Sequence, residues 1–279
     1  MAAFCDLHTH SRYSAGTSSP AELIDLAEKA GLAAVALCDH NTVEGLPEFL
    51  AAGQNSRLEA VPGIEVSTEY RGIELHILGL FLEPACFDAI QERMDGILAK
   101  KEESNIRLVE QLRKQGVDLD YWAIKAETPS GSVNRAVIAS YMQRQGYCDS
   151  VKEAFDRWLA PERGLYVPPV RPDAYEMISY LKSNGAVTVL AHPFLNLKEA
   201  DNLREFLAGA HGLDAMEVYY PKFNAEQTAL ALQIAEEFSL IGSGGSDFHG
   251  DNKPDIRIGV GRGTLAVPLK QLFSLKERK

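Results

Sequence analysis

Imidazoles and carboxylates gather at a few places along this chain. Asp6, His8 and His10 alternate; His40 follows Asp39; Glu65, His76 and His192 stand in or just after apolar runs; Asp247 and His249 repeat the spacing near the far end. In an extended strand residues i and i+2 project to one side, so Asp6, His8 and His10 are expected on a common face, where two imidazoles can grip one ion. Asp6 is then either an acceptor behind a ligand histidine or a polar residue near the end of its strand. A lone histidine in such a place is more often a hydrogen-bonded core or surface residue than a ligand. Here six of the seven histidines fall at or just after the end of an expected strand, and only His211 sits in a loop between elements. Mixed nitrogen and oxygen donors suit Mn²⁺, Fe²⁺ or Zn²⁺, and the lack of Cys among them argues against a thiolate zinc site. An ion held by such donors can acidify a bound water and orient it for attack. On that reading Ser246-Asp247-Phe248-His249 supplies ligands, not a serine nucleophile.

Elements of two kinds must carry these groups. Short runs rich in Val, Ile and Ala alternate with helical patterns, which predicts a parallel α/β architecture whose strand ends converge on one face. Phe4–His10 reads as the first strand, and Ser19-Pro20-Ala21-Glu22 opens a helix with Ser at the N-cap, Pro at N1 and Glu at N3. Gly31 ends it; Ala33–Leu37 is the next strand, followed by a helix near Val43–Ala52, a strand into Glu65 and another through Ile73–Leu78. From about residue 91 to residue 163 the pattern is helical and highly charged with no obvious strand, an insertion that splits the main domain into 1–90 and 164–279. Strands resume at Ala186–Ala191, Ala215–Tyr219 and Leu240–Gly242, with helices near Asp173–Asn184 and Ala225–Phe238 and a last strand within Ile256–Val267. The cluster Gly242-Ser243-Gly244-Gly245 lacks the Lys and helix start of a P-loop and reads as a tight strand-to-loop turn.

Composition sets outer bounds. The 279 residues, 46% hydrophobic and 24% charged, can bury a sizeable core, as two domains or one barrel with an insertion. No apolar run approaches the ~18–20 residues of a membrane span, and the N-terminus lacks a basic region leading into an apolar one, so a cytoplasmic enzyme, or a mature form whose signal is absent, is expected. The four cysteines form no C-x-x-C pair and read as reduced, mostly buried thiols. A net charge of −11 disfavours non-specific binding to duplex DNA, while an anionic substrate remains open if bound cations overcome the field locally.

Six motifs, taken together, resemble one known superfamily. Asp6-Leu7-His8-Thr9-His10, Cys38-Asp39-His40-Asn41-Thr42, Pro62-Gly63-Ile64-Glu65-Val66, Leu75-His76-Ile77-Leu78-Gly79, Ala191-His192-Pro193 and Gly245-Ser246-Asp247-Phe248-His249 look like the successive motifs of the PHP (polymerase and histidinol phosphatase) superfamily. Within it the helical insertion resembles the stand-alone TrpH-type phosphoesterases, nucleoside 3′,5′-bisphosphate phosphatases and 5′→3′ exoribonucleases. The resemblance implies a distorted (β/α)7 barrel with a helical insertion domain and two or three divalent ions, Mn²⁺ foremost. One ion would be held by His8, His10, Glu65 and Asp247, with Glu65 bridging to a second held by His76 and His192. A third would take His40 and His249 with an aspartate after the first strand; where the family commonly reads Ser-Asp-Gly, this chain reads Ser14-Ala15-Gly16. Ala15 offers no donor atom, so a firm ion pair and a labile third ion are expected.

Substrate contacts are implied more sparsely. Ser132-Val133-Asn134-Arg135-Ala136-Val137-Ile138-Ala139 resembles a Gly-Arg-Pro-His-Ile-Ala segment of the family, keeping the Arg but not the Pro-His. Arg135, with Asn134 beside it, would pair with a second phosphate; the alternative is a helix arginine with a carboxylate partner. Asn105 and Arg107 resemble a further basic stretch, and Tyr166 and Tyr219 either stack on a base or pack. After His192 the family often carries an Arg where this chain has Pro193-Phe194. The expected activity is phosphomonoester hydrolysis by metal-bound hydroxide on a small nucleotide-like substrate, a nucleoside 3′,5′-bisphosphate or a short RNA end. Three rivals stand beside it: a histidinol-phosphate phosphatase, which needs no large helical lid; an amidohydrolase-type C–N hydrolase, which usually bridges its metals with a carbamylated Lys; and a vestigial metal-binding module, which only Ala15 favours.

Overall fold

The computed structural model describes residues 4–128 and 133–279. Eight strands form one sheet in the order β7-β6-β5-β4-β3-β2-β1-β8. They are β1 Phe4–Thr9, β2 Ala34–Leu37, β3 Glu59–Tyr70, β4 Ile73–Leu80, β5 Val187–Leu190, β6 Ala215–Tyr219, β7 Ile241–Gly244 and β8 Val267–Pro268. The sheet curls until the segment after β7 reaches β1. There Asp247 N donates to His8 O (2.8 Å), His10 N donates to Phe248 O (2.9 Å), and Thr9 bridges Phe248. The result is a nearly closed, distorted α/β barrel, the class expected from the sequence.

Parallel pairing runs through β1-β2-β3 and β5-β6-β7, but β4 is antiparallel to both its neighbours. A wholly parallel sheet is therefore not what forms, and the reason is local. Only Arg71 and Gly72 separate β3 from β4, both at positive φ (50° and 77°), a hairpin connection too short for a parallel crossover. Helix starts follow the sequence more closely. At Ser19 the hydroxyl accepts from Glu22 N (3.2 Å) while Glu22 Oε2 accepts from Ser19 N (2.7 Å), closing the capping box. The expected last strand shrinks to the two residues of β8, because Gly259, Gly261 and Gly263 all take positive φ and turn the chain before it. Helices Ala200–Gly209 and Leu269–Lys276 were not expected from the sequence.

An apolar cluster takes Cys5 and Leu7 from β1, Ala34 and Ala36 from β2, Leu78 and Leu80 from β4, Val187 and Val189 from β5, and Leu272 and Leu275 from the final helix. Burying each Leu or Val contributes roughly 1.5–3 kcal/mol. By backbone proximity the chain separates into two compact units, Met1–Arg93 with Arg171–Lys279, and Met94–Val170. The second unit holds the greater part of the long helix Phe87–Lys114, helices Tyr121–Ala126 and Arg135–Arg144, and its own core of Leu108, Leu112, Ile124, Ile138, Met142 and Leu159. No described helix is long and apolar enough to cross a membrane.

Candidate metal centre

β1 carries His8, and His10 follows just past its end; what alternation does not foresee is the placing of Asp6. Asp6 pairs with Val35 and Thr9 with Leu37, so β1 carries one residue more than β2 over this stretch, a bulge that resets which side each residue faces. His8 and His10 meet, their Nε2 atoms 3.0 Å apart. Asp6 does not join them: its carboxylate accepts from the backbone amides of Ser246 (2.8 Å) and Gly259 (2.7 Å) and no imidazole touches it. It fastens the loops after β7 to β1 rather than backing a ligand ring.

Glu65 lies on β3 beyond the end of β2, where His40 bridges it. Its two oxygens look in different directions. Oε2 lies 3.2 Å from His8 Nε2, 3.2 Å from His10 Nε2 and 3.0 Å from His40 Nδ1. Oε1 lies 2.8 Å from His76 Nδ1 and 3.0 Å from His192 Nε2. Asp247 Oδ1 closes the first group at 3.2 Å from His10 Nε2 and lies 3.4 Å from His249 Nδ1. All eight residues expected from the sequence, His8, His10, His40, Glu65, His76, His192, Asp247 and His249, are thus brought together within the first unit. His76 arrives differently from the rest: it lies mid-strand on antiparallel β4, opposite Ser67, and not at a strand's C-terminal end.

Among the described residues, three groupings place donor atoms close enough to share an ion: His8, His10 and Glu65; His40, Glu65 and His76; and His10, His40 and His249. The donors fit a cation on a second ground. His40 Nδ1 and Glu65 Oε2 are buried and 3.0 Å apart, yet neither makes an aligned hydrogen bond. Buried polar atoms left in that state are rare, and a shared divalent ion would satisfy both.

Electrostatics follow the same geometry. Burial works to raise the Glu65 carboxyl, but His40, His8 and His76 around it hold it well below the ordinary carboxylate range. Asp247 is likewise held low against burial, by His10, His8 and Lys253. Burial depresses His8 and His76, yet Glu65 outweighs it for both, aided by Glu217 at His8; His8 ends well above the ordinary imidazole value and His76 is pushed up to about 9. For His40 burial wins and lowers it to about 4. Backbone strain concentrates here too: His192 (φ 31°) and Asp247 (φ 53°) are left-handed without being glycine, a conformation costing on the order of 1–3 kcal/mol that the surroundings must enforce.

Several supporting residues escaped the sequence reading. Glu217, a lone acid inside the apolar run of β6, is fully buried; its Oε1 lies 3.0 Å from His8 Nδ1 and its Oε2 accepts from His192 N (2.7 Å). Tyr220 and Lys253 both donate to Asp247 Oδ2, at 2.8 and 2.7 Å. Glu74 lies 3.4 Å from His76 Nε2 and is itself held by Arg171 at 2.7 Å. A charged residue inside a buried strand is the signal that would have found Glu217. The glycine cluster also proves different from a turn: Gly242 and Gly244 lie within β7, and a Cβ on Gly245 would meet His8 N and Cβ at 2.4 Å. Glycine there lets the last strand approach β1 closely enough to close the barrel.

The remaining expected residues have plainer settings. Ala15 sits in the turn after β1, its carbonyl accepting from Asn252 (2.9 Å). In the second unit Asn134 caps helix Arg135–Arg144 through Val137 N (3.0 Å). Arg135 stacks 4.2 Å over Tyr166 and donates to Leu159 O (3.3 Å), with no carboxylate partner among the described residues. Ser132, the start of that segment, lies outside the described residues. Asn105 donates to Val133 O (2.9 Å), Arg107 lies near Glu103, and Tyr219 packs against the barrel core.

Comparison with known proteins points the same way. The PHP domain family model matches residues 6–167. A 5′-3′ exoribonuclease of Haemophilus influenzae is 32% identical over 88% of this chain and 89% of its own length. A 3′,5′-nucleoside bisphosphate phosphatase of Chromobacterium violaceum is 26% identical over 90% of this chain and 93% of its own. Among solved structures, a proposed metal-dependent phosphoesterase from Bifidobacterium adolescentis superposes with a TM-score of 0.81 at 27% identity, covering 100% of this chain and 97% of that one. With a family match over more than half its length and its imidazoles and carboxylates gathered at one centre, the chain belongs to the PHP domain family, a family of metal-dependent phosphoesterases.

Proposed function

We propose that this enzyme hydrolyses a phosphomonoester of a small nucleotide-like substrate, either a nucleoside 3′,5′-bisphosphate or the 5′ end of a short RNA. The observation that carries the reading is the division of Glu65, one oxygen among His8, His10 and His40 and the other between His76 and His192, with Asp247 completing the first set. The relatives named above, which act on RNA and on nucleoside bisphosphates, support the substrate class. His8, His10, Glu65 and Asp247 would hold one divalent ion, Glu65, His76 and His192 a second, and His40 and His249 a weaker third. Ions bound there supply charge neutralisation for the phosphate and an acidified, oriented water. Mn²⁺ is the ion the family resemblance favours, with Fe²⁺ or Zn²⁺ also suited to mixed nitrogen and oxygen donors.

The chain's own residues do the rest. Glu65 and Asp247 stay ionised at neutral pH, and Tyr220 and Lys253 occupy Asp247 Oδ2 so that Oδ1 faces His10. Ser246 Oγ makes no hydrogen bond to an imidazole, which supports a reading without a serine nucleophile. Glu65 lies between the two imidazole sets, which favours it over a carbamylated lysine as the shared anion. Arg135, stacked on Tyr166 within the second unit and without a carboxylate partner among the described residues, remains a proposed phosphate-binding residue.

The test is phosphate release by Mn²⁺-reconstituted protein from a nucleoside 3′,5′-bisphosphate, a short 5′-phosphorylated RNA and histidinol phosphate. Preferential cleavage of the bisphosphate or the RNA supports the reading. Preference for histidinol phosphate would overturn the substrate class, and inactivity on all three with ions bound would overturn the reaction.

A further inference from the structure

Glu217 is fully buried on β6, at a bulge where the register with β7 shifts between Glu217 and Tyr219, and it faces two residues of the centre from a third strand. We propose that Glu217 is the positioning residue of the centre: through its two oxygens it fixes which nitrogen of His8 faces the ions and holds the strained backbone of His192 in place. The inference rests on the metal-centre reading above.

A carboxylate only accepts hydrogen bonds. With Glu217 Oε1 3.0 Å from His8 Nδ1, that nitrogen keeps its proton to donate, so when an ion replaces the other proton it is Nε2 that turns its lone pair to the side of Glu65 Oε2 (3.2 Å) and Asp247 Oδ1 (3.8 Å). The second oxygen takes the amide of His192 at 2.7 Å, at the residue whose φ of 31° puts it in the left-handed region and whose Nε2 reaches Glu65 Oε1. One side chain thereby serves a ligand of each ion of the proposed pair. A carboxamide cannot do both. Gln at this place has a single acceptor oxygen, so its NH₂ group faces either His192 N–H or His8 Nδ1; the latter drives the ring proton onto Nε2, where it blocks the ion.

Asp6 is the natural control. It is equally buried on β1, but its carboxylate meets no imidazole and accepts instead from the backbone amides of His8, Ser246 and Gly259. Zn²⁺ affinity, read by competition with a chelating dye, should fall roughly 10–100-fold in Glu217→Gln. In Asp6→Asn the loss should appear in Tm, with affinity little changed. In the zinc-loaded wild type, nitrogen-edited NMR should show His8 protonated at Nδ1 and metallated at Nε2, a result that does not depend on how well any variant folds. Wild-type Zn²⁺ affinity in a folded Glu217→Gln, or a His8 ring metallated at Nδ1, would overturn the inference while leaving the metal centre standing. Failure of the wild type to bind Zn²⁺ at all would overturn both.

Discussion

At the scale of single residues, the centre is organised around Glu65. Replacing it by Gln removes the anion shared by five imidazoles, so Glu65→Gln should weaken ion binding by more than the roughly 10–100-fold that loss of an outer partner costs, and take activity with it. Titrating the metal content of both proteins checks this. Ala15 makes the opposite experiment possible. The grouping of His10, His40 and His249 has no carboxylate of its own, so Ala15→Asp should raise the number of tightly bound ions by one, read by elemental analysis after dialysis. An unchanged count would show that the turn after β1 does not serve the centre.

Protonation at the centre should also be visible in stability. His76 rises from 6.5 to about 9, so in metal-free protein its contribution is full below pH 6.5 and is lost as pH climbs through about 9. Glu65 is depressed, so its contribution is present above its ordinary value of 4.5 and is lost as pH falls below it. Urea unfolding in chelator should therefore find the metal-free protein more stable near pH 6 than near pH 9.5. Ions compete with the proton on His76, so the advantage of metal-loaded over metal-free protein should grow across the same interval. A flat profile in chelator would contradict this account of the cluster.

Elements decide how these residues meet. The seam between β1 and the segment after β7 depends on Gly245, whose hypothetical Cβ would lie 2.4 Å from His8. Gly245→Ala should cost about 1–3 kcal/mol by overpacking and weaken ion binding as well, because the strand it displaces carries His8. Ser19→Ala removes a cap remote from the donor atoms and should cost about 1 kcal/mol with activity unchanged. Denaturant midpoints together with ion affinity separate the two cases.

Over the whole molecule, the net charge of −11 works against the long-range approach of an anionic substrate. Screening that field should help the substrate arrive. Thus kcat/KM for a bisphosphate should rise modestly as ionic strength increases from low values, the reverse of what a basic surface would give. A steep fall with salt would mean that surface cations steer binding after all.

What the sequence determined by itself is the chemistry and its class of scaffold. Donor types at His8, His10, Glu65, Asp247 and the other sites, the cap at Ser19, and the alternation of strand and helix are local properties that a linear reading can weigh. Tertiary structure decided the directions. The β1 bulge turns Asp6 away from the imidazoles, and the Arg71-Gly72 hairpin makes β4 antiparallel so that His76 enters from mid-strand. Ring closure brings Gly245 against His8 and places Glu217 behind two ligands at once. Periodicity assumes an unbroken pleat and says nothing of which distant strand lies alongside. Bulges and barrel closure are settled only when backbone hydrogen bonds and close packing are satisfied across the whole sheet.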